Sequence, residues 1–144
     1  MELLYFGNSH LVRSIDRGLA AQGLGRAHHR ALYFMARKPD MTVSELLSLL
    51  AITKQSLGRV LNELAVRDLV ETRPGDRDRR QRLLRLTPAG AAMEAELFDA
   101  LREKLSKAYA RAGQQAVTGF WTVLEGFIPE SERARIEDLR SNDG

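Results

Sequence analysis

The 144-residue chain contains no cysteine. That excludes disulfides, a thiolate nucleophile, thiol-based redox sensing and cysteine-ligated zinc. No apolar run approaches ~18 residues, so no helix is expected to span a membrane. The opening MELLYFGNSHLVRS has an acid at its second position, no basic leader and no apolar stretch of ~7–15 residues, and does not read as a secretory signal. A cytoplasmic location is the expectation these absences leave. A phosphate-binding loop is also missing, because the glycines near residue 25 follow no strand and do not fit the dinucleotide pattern. His28 and His29 are adjacent, hence ~100° apart on a helix, and His10 is distant, which does not suit a shared metal. They read instead as surface or interface histidines. No serine has a placed base, and the carboxylates mostly face lysine or arginine on exposed helix faces. No cofactor, no metal and no enzymatic activity are expected.

What is present is ordinary globular composition, 44% apolar and 28% charged, in a chain long enough for one domain with a core. Disorder is expected only in the last few residues. The net charge is +3, but residues 71–85 alone hold Arg73, Arg77, Arg79, Arg80, Arg82 and Arg85 against Glu71, Asp76 and Asp78, an excess of three. The charge is therefore a local patch on a near-neutral body, which suits an anionic partner.

Apolar spacing predicts an amphipathic helix over 2–21, from Leu3, Leu4, Phe6, Leu11, Ile15 and Leu19, and a second over 26–37. KPD at 38–40 stops it. TVSELLSLL then opens a helix with a capping box, Thr42 paired with Glu45. AIT at 51–53 is a tight connection in which Thr53 caps the next helix, over 54–66. Leu57, Val60, Leu61 and Leu64 form its buried face, leaving Lys54, Gln55, Ser56, Arg59 and Asn62 outside. Residues 68–73 read as a strand, 74–81 as a loop and 82–86 as a second strand. Thr87 caps a long helix over 88–111 with Pro88 at its first position. Gly113 breaks it; a helix over 114–127 and a short one after Pro129 complete the chain.

Two helices joined by a short turn and followed at once by a basic hairpin make a winged helix-turn-helix. The fold class is mostly α with a small β-hairpin wing: a winged helix-turn-helix lobe plus a helical dimerisation region. Its domains are N-terminal helices over 1–40, which serve dimerisation and scaffold part of the lobe, the DNA-binding lobe over 41–87, and dimerisation helices over 88–144. The second helix of the pair fits a DNA major groove ~12 Å wide. Arg59 can read guanine, Gln55 adenine, and Thr53, Lys54 and Ser56 complete the face; a merely solvated helix face would carry similar residues. The wing offers Arg73, Arg77, Arg79 and Arg80, and an arginine on a thin loop can enter a narrow minor groove. Asp78, two residues before Arg80, is placed to hold that guanidinium in one rotamer. The bland alternative is a salt-bridged turn with no partner.

The stretch LSLLAITKQSLGRVLNELAVRDLVETRPGDRDRRQRLLRLTPAG, above all DRRQRLLRLTPAG at 78–90, resembles the core of the multiple-antibiotic-resistance regulator (MarR) family. The resemblance runs from about residue 10 to 127. It implies an obligate homodimer whose first helix and two last helices intertwine, and a DNA-binding lobe at 41–87. By position it gives Arg80 the role of minor-groove arginine and Asp78 that of orienting acid. It also implies a small-molecule pocket, for which Tyr5, Phe6, His10, His29, Arg30 and Tyr33 are candidates, suited to an aromatic carboxylate; ordinary interface packing is the alternative. The cysteine sensor of many relatives is excluded here.

Independently of that likeness, Leu97, Phe98, Leu101, Leu105, Phe120, Trp121, Leu124 and Phe127 need cover that so small a lobe does not supply. A two-fold helical interface supplies it, and a bundle closed on itself is the monomeric alternative. The expected function is a sequence-specific, homodimeric repressor of a pseudo-palindromic operator, released by a small ligand. A winged-helix protein–protein adaptor and a ligand-independent activator are the competing readings. The expected partners are double-stranded DNA, a second copy and a small effector, with no membrane.

Overall fold

The structure, a computed structural model, is described over residues 1–75 and 78–141. Asp76 and Arg77, an acid and an arginine of the expected wing, lie outside the described residues, as do the last three positions. The elements run α1 (Glu2–Ala21), α2 (Arg26–Arg37), β1 (Met41–Thr42), α3 (Val43–Leu50), α4 (Lys54–Val66), β2 (Val70–Pro74), β3 (Arg82–Leu86), α5 (Pro88–Ala112), α6 (Gln114–Gly126) and α7 (Glu130–Ser141). They form two compact units, one of residues 16–98 and one of residues 1–15 with 99–144.

The mostly helical fold with a small hairpin matches the sequence reading, and it differs in three details. The sheet has a third strand: β1 pairs antiparallel with β3, Met41 opposite Leu84, giving the order β1-β3-β2. A two-residue strand has no periodicity to read. β2 starts at Val70, not at residue 68, because Asp68 and Leu69 are used to close α4. Asp68 turns left-handed at φ 55, its amide bonds Ala65 O, and the Leu69 amide bonds Leu64 O. That is the paired hydrogen-bond pattern which satisfies the last helical carbonyls. Finally, α7 is a full twelve residues, opened by Glu130 and Glu132 in its first turn where acids favour a helix start.

Residues 16–98 carry the core. Leu32, Met35, Leu46, Leu50, Leu57, Leu64 and Leu84 are all buried there, drawn from α2, α3, α4 and β3. Both α3 and α4 begin as expected. Thr42 accepts from the Glu45 amide while the Glu45 carboxylate accepts from the Thr42 amide at 2.7 Å, and Thr53 accepts from the Ser56 amide at 3.1 Å. Leu61 is only half-buried, at the margin of the face centred on Leu57, Val60 and Leu64, so it contributes less to the core than its spacing suggested. Leu97 finds its cover within this unit, 3.3 Å from where a Cβ on Gly18 would stand.

A crossing of two chain segments joins α4, the wing and α5. The Thr87 amide donates to Leu69 O at 3.1 Å, and the Thr87 hydroxyl donates to Asp68 O at 2.6 Å while accepting from the Gly90 amide at 3.0 Å. Thr87 thus caps α5 and pins the end of α4 at once. Gly90 lies so close to Leu69 that a Cβ would sit 1.9 Å from the Leu69 carbonyl oxygen.

The other unit is different in kind. Neither α6 nor α7 buries a residue. Leu3, Tyr5 and Phe6 of α1, Phe120 and Val123 within α6, and Phe127 just past its end are exposed. No helix of the described residues is long and apolar enough to cross a membrane.

Backbone cannot be displaced as a flexible side chain can, so Gly90→Ala is expected to destabilise the 16–98 unit by ~3 kcal/mol or more. Urea unfolding measures this, and an unchanged midpoint would show that the Leu69–Gly90 contact is not a constraint.

Candidate nucleic-acid interface

The outward face of α4 is made by its start and its spacing. Thr53, Lys54, Gln55, Ser56, Gly58, Arg59 and Asn62 are all exposed, while Leu57, Val60 and Leu64 point into the core. The Thr53 hydroxyl also donates to Ser56 Oγ at 2.8 Å, so these two side chains are engaged with each other at the helix start. Lys54, Gln55 and Arg59 are the long polar groups that project. Glu63, the first acid of α4, is held elsewhere, 2.7 Å from His28 Nε2. His28 Nδ1 accepts from the Gly25 amide at 3.0 Å, so Nε2 carries the ring proton and donates to Glu63. This contact ties α4 to α2. His28 and His29 are therefore largely covered within the lobe and are not surface histidines: His29 is 7% exposed.

The wing is stiffened at both ends. At the tip, Gly75 and Gln81 close the hairpin through the Gly75 amide to Gln81 O at 3.0 Å, and a Cβ on Gly75 would stand 2.7 Å from Asp78 O. Asp78 acts on Arg80, but not on its guanidinium. Its carboxylate accepts from the Arg80 backbone amide at 2.9 Å, and its carbonyl accepts from the Gln81 amide. A short acidic side chain reaches the amide two residues on more readily than the head of a long one. Asp78 shapes the turn, and the turn presents Arg80.

At the base, Asp40 bridges the two wing strands. Arg73 Nε of β2 donates to Asp40 Oδ1 at 2.9 Å, and Arg85 of β3 donates to Asp40 Oδ2 at 2.6 Å. Asp40 itself is left-handed at φ 62, and its amide bonds Leu84 O at 3.0 Å. The hydrogen bonds from Arg73 and then Arg85 hold its carboxyl well below the usual carboxylate range. Arg73, one of the residues expected to face DNA, is engaged with an acid at the wing base. Sequence reading treated Asp40 only as part of a helix stop; its charge, opposite to that of the nearby arginines, was the available signal.

α3, α4 and the wing enclose a groove of about 430 Å³ lined by Thr42, Val43, Ser44, Lys54, Arg80, Gln81 and Arg82. It adjoins a second, about 320 Å³, along Thr72, Arg73, Pro74, Arg79 and Arg80. Lys54 and Arg80, 26 positions apart in sequence, thus line one cleft. Ser44, Gln81 and Arg82 share it and were not singled out from sequence, although Arg82 occupies an outward position of β3. Neither Lys54, Arg59, Arg79 nor Arg80 has an ion-pair partner among the described residues.

The six candidate ligand residues fall three to each unit. Tyr5 and Phe6 are exposed and stack edge-on at 5.3 Å, and His10 offers its carbonyl to Lys104 Nζ. In the other unit, Arg30 donates to Leu50 O at 2.9 Å, capping the end of α3. Tyr33 lies under the Arg37 guanidinium, 3.6 Å from its ring centre, with Phe98 at 4.4 Å on the same cation. Arg37 also donates to Glu94 at 2.8 Å in a buried pair that joins α2 to α5. His29, 6.2 Å from Tyr33 between ring centres, has its Nε2 buried with no partner among the described residues. Burial, and then the Arg37 charge, push its pKa down.

Comparison with known proteins agrees with this arrangement. A family model described as MarR family matches residues 22–81. The HTH-type transcriptional regulator PetP of Rhodobacter capsulatus is 44% identical over 140 residues, 97% of this chain and 84% of that protein. The chain belongs to the MarR family. This MarR-family helix-turn-helix transcriptional regulator shares its fold with a MarR-family regulator from Silicibacter pomeroyi, at 23% identity and a TM-score of 0.73 over 86% of this chain and 84% of that one. It also shares it with a mutant MarR from E. coli complexed with operator DNA, at 23% identity and a TM-score of 0.70 over 89% and 92%.

Two of the regulator's shifted groups, His29 and Asp40, give its stability a pH dependence. A depressed His29 means that the unfolded chain binds the proton first, so stability is full above ~pH 6.5 and falls as pH drops below it. A depressed Asp40 contributes stability above ~pH 4, which is lost as pH falls further. Thermal melts from pH 7.5 to 3 are expected to show both declines, and His29→Asn to remove the first. A melting temperature that stays level or rises between pH 7 and 5 would contradict the buried, neutral histidine.

Proposed function

We propose that this MarR-family regulator binds duplex DNA as a homodimer, placing one α4 from each copy in successive major grooves and a wing beside each. The observation that carries the reading is the cleft shared by Lys54 of α4 and Arg80 of the wing, next to the exposed Gln55 and Arg59. Helix and wing present on one surface cations that have no ion-pair partner among the described residues, while the wing-base arginines are engaged by Asp40. In this assignment Lys54, Gln55, Ser56 and Arg59 face base edges, with Thr53 capping their helix. Arg79 and Arg80 reach the flanking minor groove or phosphates, and Asp78 fixes their turn.

The homodimer is supported by the other unit. Its exposed aromatic and aliphatic side chains flank an apolar groove of about 420 Å³ lined by Leu3, Leu4, Leu11, Leu105, Trp121 and Leu124. A second copy of the same surface would cover it, and two-fold pairing is the commonest solution. Two α4 helices about one DNA turn apart, ~34 Å, read a pseudo-palindromic operator. The regulator acts in the cytoplasm as a repressor by occupying that operator. An aromatic carboxylate releases it by favouring one arrangement of the lobes over the other; Tyr33 and His29, whose Nε2 has no hydrogen-bond partner among the described residues, are the contacts the 16–98 unit offers such a ligand.

Arg80→Ala is expected to weaken duplex binding by ~1–3 kcal/mol and to make the slope of log K against log salt shallower by about one, with the melting temperature unchanged. Fluorescence anisotropy across a salt series measures both. Equal affinity in the variant, or wild-type binding indifferent to salt, would overturn the assignment.

A further inference from the structure

Gly58 is a glycine in the body of α4, and nothing within the protein accounts for it. It is not among the residues with positive φ, so no left-handed turn requires it. A Cβ built there would meet no atom within 4 Å, so no neighbouring segment requires it. Gly90, by contrast, is forced by the Leu69 backbone. A helix interior disfavours glycine relative to alanine, yet α4 keeps one on its exposed stripe, one turn from Lys54 and Gln55 and beside Arg59.

We propose that Gly58 is a specificity-determining position, where the backbone of α4 comes close enough to the floor of the DNA major groove that a side chain would collide with a base edge. The inference rests on the reading of α4 as the DNA-recognition helix. Side chains on either side of the gap are long and polar, able to reach base edges or phosphates. The bare position between them lets the helix sink to the depth at which those groups reach. Gly58 is four residues on from Lys54 and four before Asn62, on the outward stripe those two share, with Gln55 beside it. It does not line the cleft where Lys54 meets the wing, so the contact proposed for it is to a base edge and not to the backbone phosphates beside the wing. An interface packed as densely as a protein interior does not accommodate an added methyl without a shift.

The test uses the full-length chain. A duplex site is first selected with the wild type from a random library. Gly58→Ala and Gly58→Val are then compared with wild type on that site and on an unrelated duplex. Alanine should raise the melting temperature by roughly 2–4 °C, because it improves the helix. It should nonetheless weaken binding to the selected site roughly 5- to 100-fold. Valine should weaken it more, and affinity for the unrelated duplex should stay within about twofold. Unchanged affinity for the selected site would overturn the inference, as would an equal loss on both duplexes or a fall in the alanine variant's melting temperature. If the wild type enriches no site and binds no duplex, the DNA reading itself fails, a result distinct from each of these.

Discussion

The recognition surface depends on the place where the chain crosses itself, at Leu69 and Thr87. Through one amide and one hydroxyl, Thr87 bonds the Leu69 and Asp68 carbonyls, and through the same hydroxyl it caps α5. Gly90 lets the two backbones touch. The end of α4 and both strands of the wing are therefore fixed to the start of one helix. Without that crossing, the hairpin would be held only by its pairing with the two-residue β1, and a hairpin with so little support is of marginal stability. The third strand adds to the same end, since β1 pairs with β3 directly before α3 begins.

On this frame the charges are sorted by position. Cations at the wing base are engaged and partly offset by Asp40, which bonds Arg73 and Arg85 together. Lys54 and Arg59 of α4, and Arg79 and Arg80 of the tip, have no ion-pair partner among the described residues. A wing whose base cations are held by an acid, and whose Arg79 and Arg80 are exposed, directs attraction outward, towards whatever anion lies beyond the hairpin. The interior holds a different pair, Arg37 with Glu94, covered by Tyr33 and Phe98. Buried pairs of this kind contribute little net stability, since desolvation offsets their attraction. Their geometric demands are strict, and this one fixes α2 against α5 while disfavouring a charged His29.

Most of the architecture was legible in the sequence because its signals are local. The Thr42–Glu45 box, the Thr53 cap, Pro88 at a helix start and the Leu57–Leu64 spacing each act within four to eight residues, and the helices they mark are present. The winged helix-turn-helix followed from the order of those elements. Features that escaped depend on long-range contacts. β1 exists only because β3 lies beside it, and Asp40 meets residues 33 and 45 positions away. His28 reads from sequence as a surface or interface residue because its partner, Glu63, lies 35 positions on. Asp78 was matched to the right residue but the wrong atoms: the sequence shows which residues are near, not whether a carboxylate meets a guanidinium or an amide.

The central claim is that two copies of α4 read adjacent turns of one duplex. Hydroxyl-radical footprinting on a site selected by the purified chain tests it most directly. The account predicts two equivalent protected segments, centred about 10 base pairs apart and related by two-fold symmetry, with outer protection where the wings lie. A single protected segment without a symmetric counterpart, or none at low ionic strength, would contradict it.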